Sequence, residues 1–245
     1  MPKYKIIIEY DGTNFVGWQS QNNGRSAQSS LEEAIKKLTK EIVTVFGAGR
    51  TDSGVHAKGQ VAHFDISKDF RTDNIRDGIN NYLRPLPITI LKVTKAKVVF
   101  HARFSAKQRI YEYLIINRRM PLTFQKNLAW IVYKKLDVNK MKKAALFFKG
   151  KHDFNAFRSI DCQSLTSIKS IDYCSVTNDK ELIKIIIAAK SFLHSQVRIM
   201  TGTLVNVGEG KIQPSEIKKI LETKKRSKAG ITAPPQGLYL QKVVY

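Results

Sequence analysis

The chain has 245 residues, 42% of them hydrophobic, enough to fill the core of one large domain or two modest ones and to exclude disorder as its main state. Lys and Arg number 42 against 20 Asp and Glu, a net charge of +22; this sets aside an ordinary neutral metabolic enzyme and makes a polyanion the first partner to consider, nucleic acid ahead of an anionic membrane. The longest apolar runs, Ile6 to Ile8 and Ile185 to Ala189, fall far short of the about 20 residues that cross a bilayer, so no membrane segment is expected.

Met1-Pro2-Lys3-Tyr4 leads directly into a strand over Tyr4 to Tyr10, without the apolar stretch of a secretory signal, which predicts a cytoplasmic protein. Asp11-Gly12 closes that strand as a turn pair, and Gln19 to Gln28 is polar. A helix is predicted from Ser29, with Ser29 as its cap, Glu32 completing a capping box, and Leu31, Ala34, Ile35 and Leu38 as its apolar stripe. Gly59 to Ile66 alternates as a strand with two distinct faces, and a helix over Asp73 to Leu83 stops at Pro85 and Pro87. Strands over Ile88 to Val93 and Ala96 to Phe104 follow.

After Ser105 the pattern begins again. It predicts a strand over Arg109 to Ile116, a short one over Leu128 to Tyr133, a helix over Asp137 to Lys149 ending at Gly150, and strands over Ile168 to Val176 and Leu182 to Ala189. A helix over Phe192 to Val207, a last helix opened by Pro214 and Glu216, and a strand over Gly237 to Val244 complete the chain. The simplest summary is an α+β protein of two halves with similar element content, residues 1–106 and 107–245. The first holds 16 basic and 10 acidic side chains and the second 26 and 10, so the second carries most of the attraction for a polyanion. There Arg109, Tyr111, Tyr113, Phe154, Phe157 and Arg158 mix cations with aromatics, a combination that binds phosphates and stacks on bases.

Cys162 and Cys174 belong to no Cys-x-x-Cys cluster, and His56, His63, His101 and His194 show no metal-ligand spacing, so neither a disulfide framework nor a metal is expected. The glycine-rich stretch Gly47 to Ala57 fails as a dinucleotide fingerprint, since position 52 is Asp, and no Gly-Lys-Ser/Thr follows for a P-loop; no cofactor is expected. What remains is Asp52, in a turn two residues after Arg50, whose positive charge favours the ionised carboxylate. An ionised carboxylate in such a turn is a competent nucleophile or base, but Thr-Asp-Ser-Gly is also ordinary turn chemistry, and composition alone leaves both readings open.

Gly49-Arg50-Thr51-Asp52-Ser53-Gly54-Val55-His56-Ala57 followed by Gln60-Val61-Ala62-His63-Phe64 resembles the signature of the tRNA pseudouridine synthase A family. Phe100-His101-Ala102-Arg103-Phe104-Ser105-Ala106 with Arg109-x-Tyr111-x-Tyr113 is similar to its second block, and Phe192-Leu193 with Val197-Arg198 and Gly202 to its third. Asp153-Phe154-x-x-Phe157-Arg158 and Ala233-Pro234-Pro235-x-Gly237-Leu238 fit as well, in family order, while Leu86-Pro87-Ile88 departs from the family's Leu-Pro-x-Asp-Ile.

The resemblance implies two similar halves, each resembling an RNA-recognition motif, whose antiparallel sheets join into one central sheet flanked by helices. It implies isomerisation of adjacent uridines in the anticodon stem-loop of tRNA by a homodimer, without cofactor or metal. Asp52 is then the catalytic nucleophile or base, Tyr111 the group that stacks on the uracil and handles the C5 proton, and Arg198 the partner of the carboxylate. Arg50, His56, Arg103, Arg109 and Arg158 are the expected RNA contacts. A synthase acting at other tRNA positions, or a non-catalytic RNA-binding protein, is the alternative; the intact set of Arg50, Asp52, Tyr111 and Arg198 favours the enzyme.

Overall fold

Alternation makes the first strand one-sided. In the computed structural model, which describes residues 1–21 and 24–245, β1 (Lys3–Tyr10) buries Tyr4, Ile6, Ile8 and Tyr10 and turns Lys3, Lys5, Ile7 and Glu9 to the other face. Positions 22 and 23 of the polar stretch lie outside the described residues. The helix α1 (Ala27–Thr39) begins earlier than its sequence suggests, because Ser26 is the cap: its Oγ accepts from the Ser29 amide at 3.0 Å, and the Ser29 Oγ accepts from the Ser26 amide at 3.2 Å. Glu32, expected in that box, instead accepts from the amide of Val45 at 2.9 Å.

The next elements are β2 (Phe46–Gly47), β3 (His56–Asp65), α2 (Thr72–Leu83) and β4 (Ile88–Ala96). The strand expected over Ile88 to Val93 runs on as β4 to Ala96, and the separate one expected over Ala96 to Phe104 does not form. Beyond β4 the side chains of His101 and Ser105 capture local amides, Ser105 Oγ that of His101 at 3.0 Å and His101 Nδ1 that of Arg103 at 3.1 Å, so the segment folds into turns instead of pairing.

The chain continues through β5 (Gln108–Asn117), β6 (Trp130–Val132) and α3 (Val138–Ala145) to β7 (Gly150–Asp153), a strand too short for alternation to reveal. The helix expected to reach Lys149 tightens after Ala145 into a single 3₁₀ turn, Leu146–Phe148. Then come β8 (Ile168–Asp179), β9 (Leu182–Ala189), α4 (Gln196–Gly208), α5 (Glu216–Thr223) and β10 (Leu238–Val244). Ser195 has φ 58°, which delays the start of α4 from the expected Phe192. The α+β class and the two halves of similar content are as the sequence suggested, with ten strands and five α-helices among the described residues. No helix among them is long and apolar enough to cross a membrane.

Two compact units result, Met1–Lys107 with Tyr239–Tyr245, and Gln108–Leu238. In the first, β4, β1, β3 and β10 lie side by side, with β2 also on β3. The final strand, which sequence order alone puts in the second half, groups with the first unit because it pairs in parallel with β3, Tyr239 opposite His56 and Leu240 opposite Ala57. In the second unit β5, β9, β8 and β7 run antiparallel in that order, with β6 parallel to β5.

Both faces of β3 are covered, and His63, at 2% exposure, is one of its buried polar groups. Its Nδ1 accepts from the amide of Ala102 at 3.1 Å, which requires an unprotonated nitrogen there. Burial first, then the positive charge of Lys3 and the neighbouring His101, push it down to about 4; Asp65 and the Phe46 carbonyl oppose the shift. The unfolded chain binds the proton below its ordinary value near 6.5 while the fold refuses it until about 4, so stability falls as pH drops through this window and levels off beneath it. Urea unfolding as a function of pH is expected to show a steeper loss from pH 6.5 to 4 for the wild type than for His63→Gln, whose amide oxygen accepts the same hydrogen bond without titrating.

Candidate active site

Asp52 stands half-buried on the turn that joins β2 to β3, and the turn is built from main chain held at several points. The Trp18 amide donates to the Thr51 carbonyl at 3.1 Å, the Val55 amide to the Asp52 carbonyl at 3.1 Å, and the Gly54 amide to the Phe15 carbonyl at 3.3 Å. A buried side-chain bond of 2.8 Å ties the Tyr10 hydroxyl to Thr51 Oγ1, and Gln60 Nε2 donates to the Gly49 carbonyl at 2.8 Å. Burial pushes the Tyr10 phenol up to about 12, against its bonds to Thr51 and Gln60, so it is neutral at any physiological pH.

Two glycines permit this close approach. A Cβ on Gly17, whose φ is +109°, would lie 2.6 Å from the Thr51 carbonyl oxygen, and one on Gly12 would lie 2.0 Å from that of Val55. The segment after β1 therefore presses its backbone directly on the turn. Sequence reasoning missed this support from Tyr10, Gly12, Gly17 and Trp18. The signal available was Gly12 just after a strand, which reads as a turn but does not say what the turn touches.

Arg50 and His56 flank Asp52 on the same segment. Arg50 is exposed. His56, expected to contact RNA, is 1% exposed: its Nδ1 accepts from the Gly12 amide at 2.9 Å, and its ring stacks on Tyr239 with centroids 4.7 Å apart. The same nitrogen lies 3.1 Å from Asp11 Oδ1. The ring supports the turn and does not face solvent. Arg103 is exposed in the turn after β4, with its guanidinium 5.6 Å from the centroid of the Phe104 ring.

The remaining candidates belong to the second unit. Tyr111, on β5, is 7% exposed and meets the edge of Phe192 at a centroid distance of 5.3 Å. Tyr113, on the same face of β5, is core, as its apolar setting suggested, and its hydroxyl donates to the Pro234 carbonyl at 2.6 Å. Desolvation holds that phenol well above its ordinary value, with Arg198 pulling the other way. Arg198, in the first turn of α4, donates from Nε to the Ala233 carbonyl at 2.7 Å and receives the Ala233 amide on its own carbonyl at 3.1 Å. Tyr113 and Arg198 thus dock on consecutive carbonyls of one segment, and Tyr111 continues the same strand face.

Arg109 was expected on the RNA and is instead 8% exposed, its guanidinium spent on the Lys190 carbonyl just after β9. Arg158 is half-buried after a short 3₁₀ turn, Asn155–Phe157.

A family profile described as tRNA pseudouridine synthase matches residues 6–105 and 144–245. A protein called tRNA pseudouridine synthase A from Ehrlichia ruminantium (strain Gardel) is 53% identical over 244 residues, 99% of either chain. Proteins of that description from Parvibaculum lavamentivorans and Wolbachia pipientis wMel are 48% identical over 245 residues and 49% over 244, covering 100% of both chains in the first case and 99% and 100% in the second. The chain belongs to the tRNA pseudouridine synthase family and is an isomerase of tRNA uridine.

Removing the Tyr10 hydroxyl tests the anchoring directly. Tyr10→Phe is expected to lower the unfolding free energy by about 1 kcal/mol in urea titrations. Combined with Thr51→Val it should cost less than the sum of the two single substitutions, because both delete the Tyr10–Thr51 bond while only Tyr10→Phe also gives up the bond to Gln60.

Proposed function

We propose that this member of the family converts adjacent uridines of the tRNA anticodon stem-loop to pseudouridine, with Asp52 as the nucleophile or base, working as a cytoplasmic homodimer. The observation that supports this most is the Asp52 turn itself: a carboxylate at the apex of a segment whose backbone is pinned by buried donors, in a chain with a net charge of +22.

The reaction conserves all atoms of the nucleoside except one exchanged hydrogen. The N1–C1′ bond breaks, the uracil turns, a C5–C1′ bond forms, the C5 hydrogen leaves as a proton, and N1 takes one up. No oxidant or reductant enters. The substrate must first be swung out of its helix, at a cost of a few kcal/mol that a basic surface offsets through phosphate contacts. The carboxylate of Asp52 then acts on the sugar or the base of the extruded nucleotide. A nucleophile or base gains from being held in place, since misplacement by about 1 Å costs on the order of a hundredfold in rate.

The sequence resemblance assigns the other roles. Tyr111 stacks on the uracil and serves the C5 proton, and Arg198 partners the carboxylate. Arg50 and Arg103, both exposed cations, suit contacts with the RNA backbone, while His56 positions the turn. Recognition of neighbouring uridines by one site favours reading of shape and phosphates over base edges.

Incubation with tRNA carrying tritium at uracil C5 tests the proposal, since the new C5–C1′ bond requires that label to leave. The wild type is expected to release it, and Asp52→Asn to bind tRNA with release reduced at least about a thousandfold, as when a catalytic group is removed. Equal release by both would remove Asp52 from the mechanism. Mapping of the modified positions outside the anticodon stem-loop would overturn the assigned substrate region.

A further inference from the structure

The face of β1 that carries Lys3 and Lys5 lies opposite the helices of its unit. The Tyr4 hydroxyl, on the other face, meets Asp69 at 2.8 Å and the Phe70 carbonyl at 2.9 Å, immediately before α2. On the lysine face the register sets His63 of β3 beside Lys5, and Phe46 of β2 beside His63.

From there a run of aromatic rings leads outward. Phe46 stacks on His63 with centroids 5.2 Å apart, His101 meets His63 at 4.7 Å and Phe46 at 5.6 Å, and Phe104 packs on His101 at 4.4 Å. The inner end is buried, His63 at 2% exposure, whereas Phe104 at the outer end is 74% exposed. The Arg103 guanidinium lies 5.6 Å from the Phe104 centroid.

Phe104 is held out in water by design of its turn. The amide of Ala102 is bonded to His63, the carbonyl of Ala102 accepts from the Tyr245 hydroxyl at 2.7 Å, and the Ser105 amide reaches the His101 carbonyl at 2.9 Å. An apolar ring kept exposed by a fixed backbone contributes little to folding, and its neighbours are a guanidinium and a ladder of rings that is buried only at His63. This is the arrangement that stacks on an unpaired base, with the cation reinforcing the π contact. The ladder also starts at Phe46, the first residue of the short strand that runs into the Asp52 turn.

We propose that Phe104, backed by His101 and flanked by Arg103, is a stacking platform for an unpaired base of the tRNA substrate other than the uridine being isomerised. The proposal rests on the reading of the chain as a tRNA-modifying enzyme and adds a base-binding site to it. The occupant is an RNA base, because the exposed ring sits beside a guanidinium on a molecule of net charge +22, which draws a polyanion whose unpaired bases can stack.

The test compares the wild type with Phe104→Ala, Phe104→Leu and Phe104→Trp in equilibrium binding to unmodified tRNA, in release of tritium from uracil C5, and in sedimentation. Phe104→Ala and Phe104→Leu are expected to weaken tRNA binding about tenfold or more, and Phe104→Trp to bind at least as tightly as the wild type, since stacking needs a ring and not only apolar bulk. Release of label by the two weak binders should recover as tRNA is raised to saturation. Leu binding like the wild type, or Ala binding unchanged, overturns the platform. Loss of a wild-type oligomer in Phe104→Ala, with tRNA affinity per chain unchanged, assigns the ring to an interface between copies and also overturns it. Should the wild type release no tritium while the Ala and Leu variants still lose tRNA affinity, the platform stands and the catalytic reading fails; wild-type release with unchanged affinity in the variants is the reverse result.

Discussion

The contact on which the first unit's chemistry depends is between two stretches of main chain, the segment after β1 and the turn that carries Asp52. The Trp18 amide on the Thr51 carbonyl and the Tyr10–Thr51 bond make it, and glycine at 12 and 17 makes it sterically possible. Replacing either glycine by alanine would drive a methyl group into a backbone carbonyl that no rotamer change can move aside. The cost of fixing the turn is met by buried groups that are fully bonded, which is how a short, polar, glycine-rich loop can present one carboxylate in one place.

The same logic explains the histidines. His56 and His63 both use Nδ1 to accept a main-chain amide, from Gly12 and Ala102 respectively, so each joins a strand to a turn that follows or precedes it. These are positions where an imidazole offers an acceptor on a flat, stackable ring. In the second unit, Tyr113 and Arg198 do comparable work from the strand and helix sides of the segment Ala233–Pro234. In each unit, bonds from side chains to backbone carbonyls and amides thus help to fix the candidate residues.

Much of this was legible in the sequence wherever a pattern was long. β1, β5, β8, β9 and α2 follow from alternation or helical period, and the Asp52 segment stood out by its glycines. What was not legible has physical causes. The α1 cap went to Ser26 because the partner at the third helical position was another serine hydroxyl and not a carboxylate. The strand expected through Phe104 was lost to side-chain capture of local amides by His101 and Ser105, and Arg109 became buried because a carbonyl at the end of β9 lay within its reach. No periodicity encodes such contacts between distant residues.

If the turn is fixed and the reacting group is its carboxylate, lengthening the side chain must misplace the charge. Single-turnover release of tritium from saturating uracil-C5-labelled tRNA by Asp52→Glu measures this most directly. The account predicts a rate at least about a hundredfold below the wild type with tRNA affinity retained, because a pinned backbone cannot retreat by the extra methylene. A glutamate variant within a few fold of the wild type would contradict it, showing that the turn yields or that the carboxylate's position is not what governs the reaction.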